Sequence, residues 1–292
     1  MELVISTVAQ GLLWSLLAIG VFLTFRILDV ADLTVEGTYP LGGALAVVAI
    51  ENGHSPFMSI VMACIGGMIA GAVTGLLHTK LKIPALLAGI LTMIGLYSVN
   101  LRIMGQATVS ILGMDTVYTF FEQIGADKNI STLVVGIIGA VVIWIFCYTF
   151  FGTEIGAAIR ATGDNPQMIR AQGVNTDYMI ILGLVLSNGM VAITGALISE
   201  SNGFADVGMG TGTIVIGLAS VIIGEVLFGN RSFKNWLTSV VLGSVIYRGV
   251  VALVLWLGMN PNDLKLLTAI IVAFALALPM LKAKAQQMRA GR

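Results

Sequence analysis

The stretch RATGDNPQMIRAQGVNTD, residues 160–177, is a polar island carrying charges of both signs between two uncharged apolar runs, 130–151 and 178–199. Its punctuation is that of a short helix. Gly163 is expected to end a helix running from Glu154 through Arg160, Asp164 or Asn165 to cap a new start, and Pro166 to fill the first helical position, where no backbone N–H is needed. Residues 167–172 then make about a turn and a half, and Gly173 supplies the stop. Met168, Ile169 and Arg170 are expected to face outward. A helix this short is marginal in water by itself, so it needs a surface, either lipid headgroups or a groove on another protein.

Long uncharged runs like the two flanking ones recur along the whole chain. Of 292 residues, 57% are hydrophobic and 10% charged, against about 25% charged in an ordinary soluble domain. With a mean hydropathy of +0.97, this is the composition of a membrane protein. The formal net charge is zero, which argues against a nucleic-acid partner. Cys64 and Cys147 sit inside apolar runs, where neither a disulfide nor a CxxC site is expected. The first apolar run lacks a basic flank and exceeds a signal-peptide core, so it is read as a retained span.

A helix needs about 20 apolar residues to cross the hydrocarbon core. Runs at 3–25, 55–77, 83–101, 130–151, 178–199 and 207–224 meet or approach that length. The run 236–257 is long enough but contains Arg248, 266–281 is slightly short, and 37–50 spans only if DLTVEG, residues 32–37, enters the membrane with it. The expected fold is an all-α polytopic membrane helix bundle, one domain over 1–292, of about nine spans bounded by eight and ten. Placing the loop 152–177 and the C-terminus in the cytoplasm puts eleven of the fifteen Lys and Arg inside, three outside and Arg248 in the membrane. That bias sets the orientation, with the N-terminus and the loop 102–129 outside.

Two segments combine polar residues with helix breakers at membrane depth, where irregular backbone is tolerated only against protein or a water-filled path. The first is DLTVEGTYPLGG from Asp32, with Thr34, Glu36, Thr38 and Tyr39 ahead of Pro40; the second is NGFADVGMGTGT from Asn202, with Asp206, Thr211 and Thr213 among glycines. Paired broken helices in the two halves of a chain point to a transport path, so Thr34, Glu36, Thr38, Tyr39, Asn202, Thr211 and Thr213 are candidate lining residues, joined by Asn188 in mid-span. Asp32 and Asp206 have the alternative role of capping helix starts, and Asn188 that of helix packing.

Arg248 is the costliest residue in the chain and is expected to pair with Glu225 or Asp206, or to sit nearer an interface. Glu36 and Glu200 are candidates to meet a substrate ammonium; Trp14, Tyr39 and Phe204 are candidates to stack on a ring, though belt anchoring is the commoner use. Gly67, Gly71 and Gly75 make one face nearly free of side chains, which reads as packing scaffold. In the loop 102–129, Val117, Phe120, Phe121 and Ile124 fall on one side of a short amphipathic helix, suited either to docking an external protein or to lying in the interface.

Catalytic motifs are missing. The sequence has no G-x-x-x-x-G-K-[ST], no H-E-x-x-H and no G-x-S-x-G, so no catalytic residue, metal ligand or bound cofactor is assigned, and an energy-using transporter built from this chain would have to borrow its hydrolysis from a partner.

GDNPQMIRAQGVNTD at 163–177 resembles the cytoplasmic coupling loop of permease subunits in ABC importers of the branched-chain amino acid and ribose type. The resemblance extends through FRILDVADLTVEGTYPLGGA at 25–44, LSNGMVAITGALISESNGFADVGMGTGTIVIGLASVIIGE at 186–225, and YRGVVALVLWLG with DLKLLTAIIVA near the end. Together these blocks are similar to a subgroup associated with tryptophan or tyrosine uptake. The resemblance implies a cytoplasmic coupling helix carrying Gly163, Asp164, Asn165, Pro166, Met168, Ile169, Arg170 and Gly173, which docks on a separate ATPase that holds ATP and Mg. It further implies a second permease copy in a homodimer, two ATPase subunits and an extracytoplasmic substrate-binding protein, in the cell membrane. A different class, the ion-coupled secondary transporter, also uses broken helices but needs no cytoplasmic docking helix.

Overall fold

In a computed structural model, residues 2–258 are described apart from 124 and 126, together with 266, 269, 270 and 273. The chain is mostly helical, in the order α1 (Glu2–Phe22), a short π-helical continuation (Leu23–Ile27), α2 (Val35–Glu51), α3 (Pro56–Thr79), α4 (Ala85–Met104), β1 (Thr108–Ser110), α5 (Val117–Gln123), α6 (Lys128–Phe150), α7 (Glu154–Asp164), α8 (Pro166–Ala171), α9 (Thr176–Asn202), β2 (Phe204–Asp206), α10 (Thr213–Phe228) and α11 (Phe233–Trp256). Six helices among the described residues are long and apolar enough to cross a membrane, α1 with its continuation, α3, α4, α6, α9 and α11. The other two expected spans in this region are shorter, α2 with 17 residues and α10 with 16. The last expected span, 266–281, lies outside the described residues except at 266, 269, 270 and 273.

One small sheet qualifies the all-α expectation. β1 and β2 pair antiparallel with Thr108 opposite Asp206, which ties the loop after α4 to the loop after α9.

Helix α1 is the centre of the bundle, buried almost without interruption from Gly11 to Phe22. It packs against α6, α9, α10 and α11, while α3 lies along α9 and α4 flanks α2 and α3. The glycine face of α3 does what its spacing suggests. Gly67 sits on the Asn188 carbonyl, Gly71 on that of Leu184 and Gly75 on the backbone of Ile181, so two apolar helices meet main chain to main chain.

Helix α2 does not start where its neighbours start. Its first turn meets α9 at Asn188, midway along that 27-residue helix and on the order of 18 Å from its N-terminus. From there α2 runs parallel to α9, with Gly42 against Ala192 and Tyr39 against Gly195. Residues 28–34 make the connection as irregular chain, with Leu28 against Gly183 of α9, Asp29 in the left-handed region (φ 53°) and a turn at 33–34 that leads into α2. Helix α10 also begins inside the bundle. Its span was expected over 207–224, but residues 207–212 are turn, Gly210 packs against Glu36 and Pro40, and the helix starts only at Thr213. The left-handed Gly212 (φ 87°) marks the start of α10, a conformation that side-chain-bearing residues avoid, but Pro40 breaks nothing: contrary to expectation α2 runs through it in its second turn, and Gly210 packs on the Glu36 carbonyl that the missing N–H leaves unbonded.

Candidate functional site

The polar island forms an L of two helices. α7 runs unbroken through Gly163 to Asp164, contrary to the expectation that Gly163 would end it. A single glycine costs a helix only about 1 kcal/mol, and here the missing side chain is what lets α7 lie on the carbonyl of Ile27, where a Cβ would overlap. The break comes at Asn165, whose Oδ1 accepts the Met168 N–H at 3.0 Å and caps α8, with Pro166 at its first position. Gly173 follows with φ 87°. Met168 is exposed as expected, with Asp164, Asn165 and Pro166 exposed beside it, but Ile169 is buried. It is the apolar foot that seats so short a helix. Arg170 is exposed, as expected, and is tied down at the surface: Nε donates to Thr176 at 2.6 Å, and its guanidinium pairs with Asp177, which also draws Lys80 and Lys82.

Above this lies a chain of buried polar side chains. Asp32 accepts the Thr34 N–H at 2.9 Å and the Asn188 Nδ2 at 2.7 Å, and Asn188 Oδ1 accepts the Thr38 hydroxyl at 2.8 Å. Thr34 shares a 2.7 Å hydrogen bond with Thr74, which donates to Thr92 at 2.9 Å. Five elements are thus pinned at one level, the 28–34 segment, α2, α3, α4 and α9. Of the expected lining residues, Thr34, Thr38 and Asn188 belong to this network and are buried. Ser187 beside them donates to the Gly20 carbonyl of α1.

Glu36 faces the other way. Its Oε1 accepts the Gly212 N–H at 3.0 Å, so a carboxylate in the first turn of α2 satisfies the backbone just ahead of α10. The N-termini of the two broken helices therefore meet at this residue. Beside it opens a cleft of about 470 Å³ between α2, α4 and the turn before α10, lined by Glu36, Tyr97, Ser98, Asn100 and Thr211 among others. Thr213 is buried and closes a turn onto the Gly210 carbonyl. Asn202 is exposed at the end of α9, away from the cleft. Tyr39 is buried and stacks on Trp14 with ring centroids 5.5 Å apart.

Arg248 pairs with neither expected carboxylate. Glu225 is taken by Arg26 and by the Trp236 indole N–H, and Asp206 by Thr108 and the Gly208 N–H. Arg248 instead lies 4.7 Å over the Trp14 ring. Asp206 caps a turn, not a helix.

At the α5 end, Glu200 accepts from Ser59 at 2.8 Å and from the Val117 N–H, the first residue of α5, at 3.0 Å. The Tyr118 hydroxyl donates to the Leu197 carbonyl at 2.9 Å, and burial, helped by the Glu200 carboxylate, pushes that phenol well up. Val117 and Phe121 pack on the core, Phe120 is exposed, Phe204 is 43% exposed, and Ile124 is outside the described residues. Cys64 and Cys147 are free thiols. No cluster of His, Cys, Asp or Glu suited to a metal occurs among the described residues.

Sequence reasoning missed Tyr97, Asn100, Thr74 and Thr92. Each is a polar or amphipathic residue inside an expected span, so the rule that singled out Asn188 applies equally to them.

Residues 3–278 match a family model described as branched-chain amino acid transport system / permease component. A tyrosine transport system permease protein of Clostridioides difficile (strain R20291) is 39% identical over 274 residues, covering 94% of this chain and 90% of the relative. Among solved structures, the chain resembles PsaBC from Streptococcus pneumoniae (TM-score 0.53, 16% identity, 94% and 89% covered). It also resembles an inward-facing chain described as a metal-chelate type ABC transporter (TM-score 0.51, 15% identity, 96% and 85% covered). At these identities the two structures speak for the fold alone.

Proposed function

The chain belongs to the family of branched-chain amino acid transport system permease components, and from that premise we propose how it works as the membrane-spanning permease subunit of an ATP-driven ABC importer. The solute is a small amino acid, aromatic in keeping with the tyrosine relative. Two copies form the pathway as a homodimer of about nine spans each, surrounded by lipid. The N-terminus lies outside and the C-terminus in the cytoplasm, as the Lys and Arg bias favours. Two cytoplasmic ATPase subunits hold ATP and Mg, and an extracytoplasmic binding protein delivers solute; no chemistry falls to this chain.

The observation that carries the reading is the contact of Gly163 with the Ile27 carbonyl. Asp164, Asn165, Pro166 and Met168 offer an exposed edge to the ATPase, while the buried Ile169 and the ion-paired Arg170 fix that edge to the bundle. A push on α7 and α8 enters the chain at Ile27 and passes along residues 28–34 to Asp32. From there the hydrogen bonds to Asn188 and Thr38 deliver it to the buried start of α2, and Glu36 links it to α10. Access alternates as the two broken helices shift. Thr34, Thr38, Tyr39, Asn188 and Thr213 hold these helices, and Glu36 and Thr211 border the path.

The test is uptake by proteoliposomes. Purified permease with its ATPase and binding protein should accumulate tyrosine only when ATP is supplied. Accumulation by the permease alone under a sodium or proton gradient would overturn this reading in favour of a secondary transporter.

A further inference from the structure

The cleft beside α4 contains a carboxylate that the chain meets only in part. Glu36 borders the cleft and no ion pair reaches it among the described residues. Its Oε1 is occupied by the Gly212 N–H, which accounts for one oxygen. Asn100 lines the same cleft but is 1% exposed, with its Oδ1 shielded; its Nδ2 donates to the Gly37 carbonyl at 3.1 Å and so holds the turn that carries Glu36. Balancing the start of α10 explains part of the carboxylate's charge, but not all of it.

The group left open is an acceptor with a negative charge. What fits it is a cation with N–H donors, which describes a primary ammonium. The remaining wall suits an apolar or ring-bearing body: Met93, Ile94 and Tyr97 line it, with the Tyr97 side chain 55% exposed. The volume of about 470 Å³ falls within the range of small-molecule sites, roughly 300–1,000 Å³. We propose that this cleft is an ammonium-recognising subsite, in which Glu36 receives the amino group of a small zwitterion while Tyr97 and its neighbours carry the side chain. Its role in transport rests on the permease reading above; its chemistry does not.

The test uses the full-length chain in lipid nanodiscs with a Ser98→Cys reporter, Ser98 being an exposed residue of the cleft. Modification rates are measured with ethylammonium methanethiosulfonate and with its ethylsulfonate counterpart, each normalised to a small free thiol and corrected for native Cys64 and Cys147. A cleft of one sign concentrates the opposite charge, so the cationic reagent should react about tenfold faster or more. Adding Glu36→Gln, which keeps an oxygen for the Gly212 N–H, should bring the ratio close to one. L-phenylalanine at millimolar concentration should protect the reporter, and 3-phenylpropionate, its desamino analogue, should not. Equal rates, a ratio unmoved by Glu36→Gln, or equal protection by both compounds would overturn the subsite. If the Glu36→Gln protein does not fold, the protection comparison decides on the native background. Loss of ATP-driven uptake with the rate ratio intact would sink the transport reading and leave the subsite standing.

Discussion

The Asp32 carboxylate and the Asn188 side-chain amide meet at 2.7 Å, both buried, at the level where α2 begins and midway along α9. A buried carboxylate is tolerable only when hydrogen-bonded, and Asn188 is the one side chain that reaches it from another helix in the hydrogen bonds of the described residues. The pair fixes the depth at which non-helical chain gives way to helix. Without it, residues 28–34 would have no anchor inside the bundle, and the start of α2 would be held mainly by threonine hydroxyls.

Replacing Asn188 with Leu is therefore expected to cost more than its lost hydrogen bonds. It leaves the Asp32 carboxylate with the Thr34 N–H alone and the Thr38 hydroxyl with only the Thr34 carbonyl, a penalty of about 3 kcal/mol at the upper end for a buried polar group stripped of a partner. Asp32→Asn removes the charge but keeps only one of the two acceptor oxygens, so its NH2 faces either the Thr34 N–H or the Asn188 amide, and it should cost about 1–3 kcal/mol. Thermal unfolding of the detergent-solubilised protein measures both, and the double variant should be more stable than Asn188→Leu alone.

Gly163→Leu separates coupling from folding. A side chain there runs into the Ile27 and Leu28 backbone, forcing α7 away from the bundle while leaving the transmembrane contacts alone. The expected outcome is a folded, monodisperse permease whose ATP-driven uptake falls at least about tenfold, the effect of roughly 1.4 kcal/mol of lost coupling. Size-exclusion chromatography and proteoliposome uptake provide the two readouts. Full uptake would mean that the α7 contact transmits nothing.

On the glycine face of α3, Gly71→Leu should be the most damaging single change, because the Leu184 carbonyl and the Asn188 Cβ already fill the space. Overpacking of this kind costs about 1–3 kcal/mol when neighbours can shift, and backbone cannot. Loss of the monodisperse peak in fluorescence-detected chromatography is expected. Gly95→Leu, on a face of α4 with open space around it, should leave that peak unchanged.

Much of this arrangement was readable from residue order. Long uncharged runs specify the six long spans, Asn165 and Pro166 specify the start of α8, and the glycines around Gly212 specify the late start of α10, whereas Pro40, read as a breaker, lies within α2. What was not readable depends on distant partners. Gly163 looked like a helix break because propensity is local, whereas its actual use is set by Ile27, far away in sequence. Ile169 looked exposed on a short polar helix, and only the underlying bundle makes it a foot. The cleft escaped notice because Asn100 and Tyr97 lie on α4 and Glu36 on α2, and no spacing within either segment announces that they converge.

Arg248 makes the sharpest prediction about the interior. Its Nε is buried with no acceptor among the described residues, and the guanidinium rests on the face of Trp14, which is itself stacked on Tyr39. A desolvated cation–π contact is worth about 2 kcal/mol or more, but the desolvation of a charge is larger than what one ring returns. The two partners should therefore respond unequally. Arg248→Met removes the buried charge together with its contact and should be near neutral for stability. Trp14→Leu keeps the charge and takes away the ring, so it should lower the unfolding temperature markedly, and adding Arg248→Met to it should restore most of the loss. Thermal unfolding of the two single variants and the double variant closes the cycle. If Arg248→Met proves the more damaging of the two single changes, the guanidinium has a stronger partner than Trp14 and the ring is packing alone.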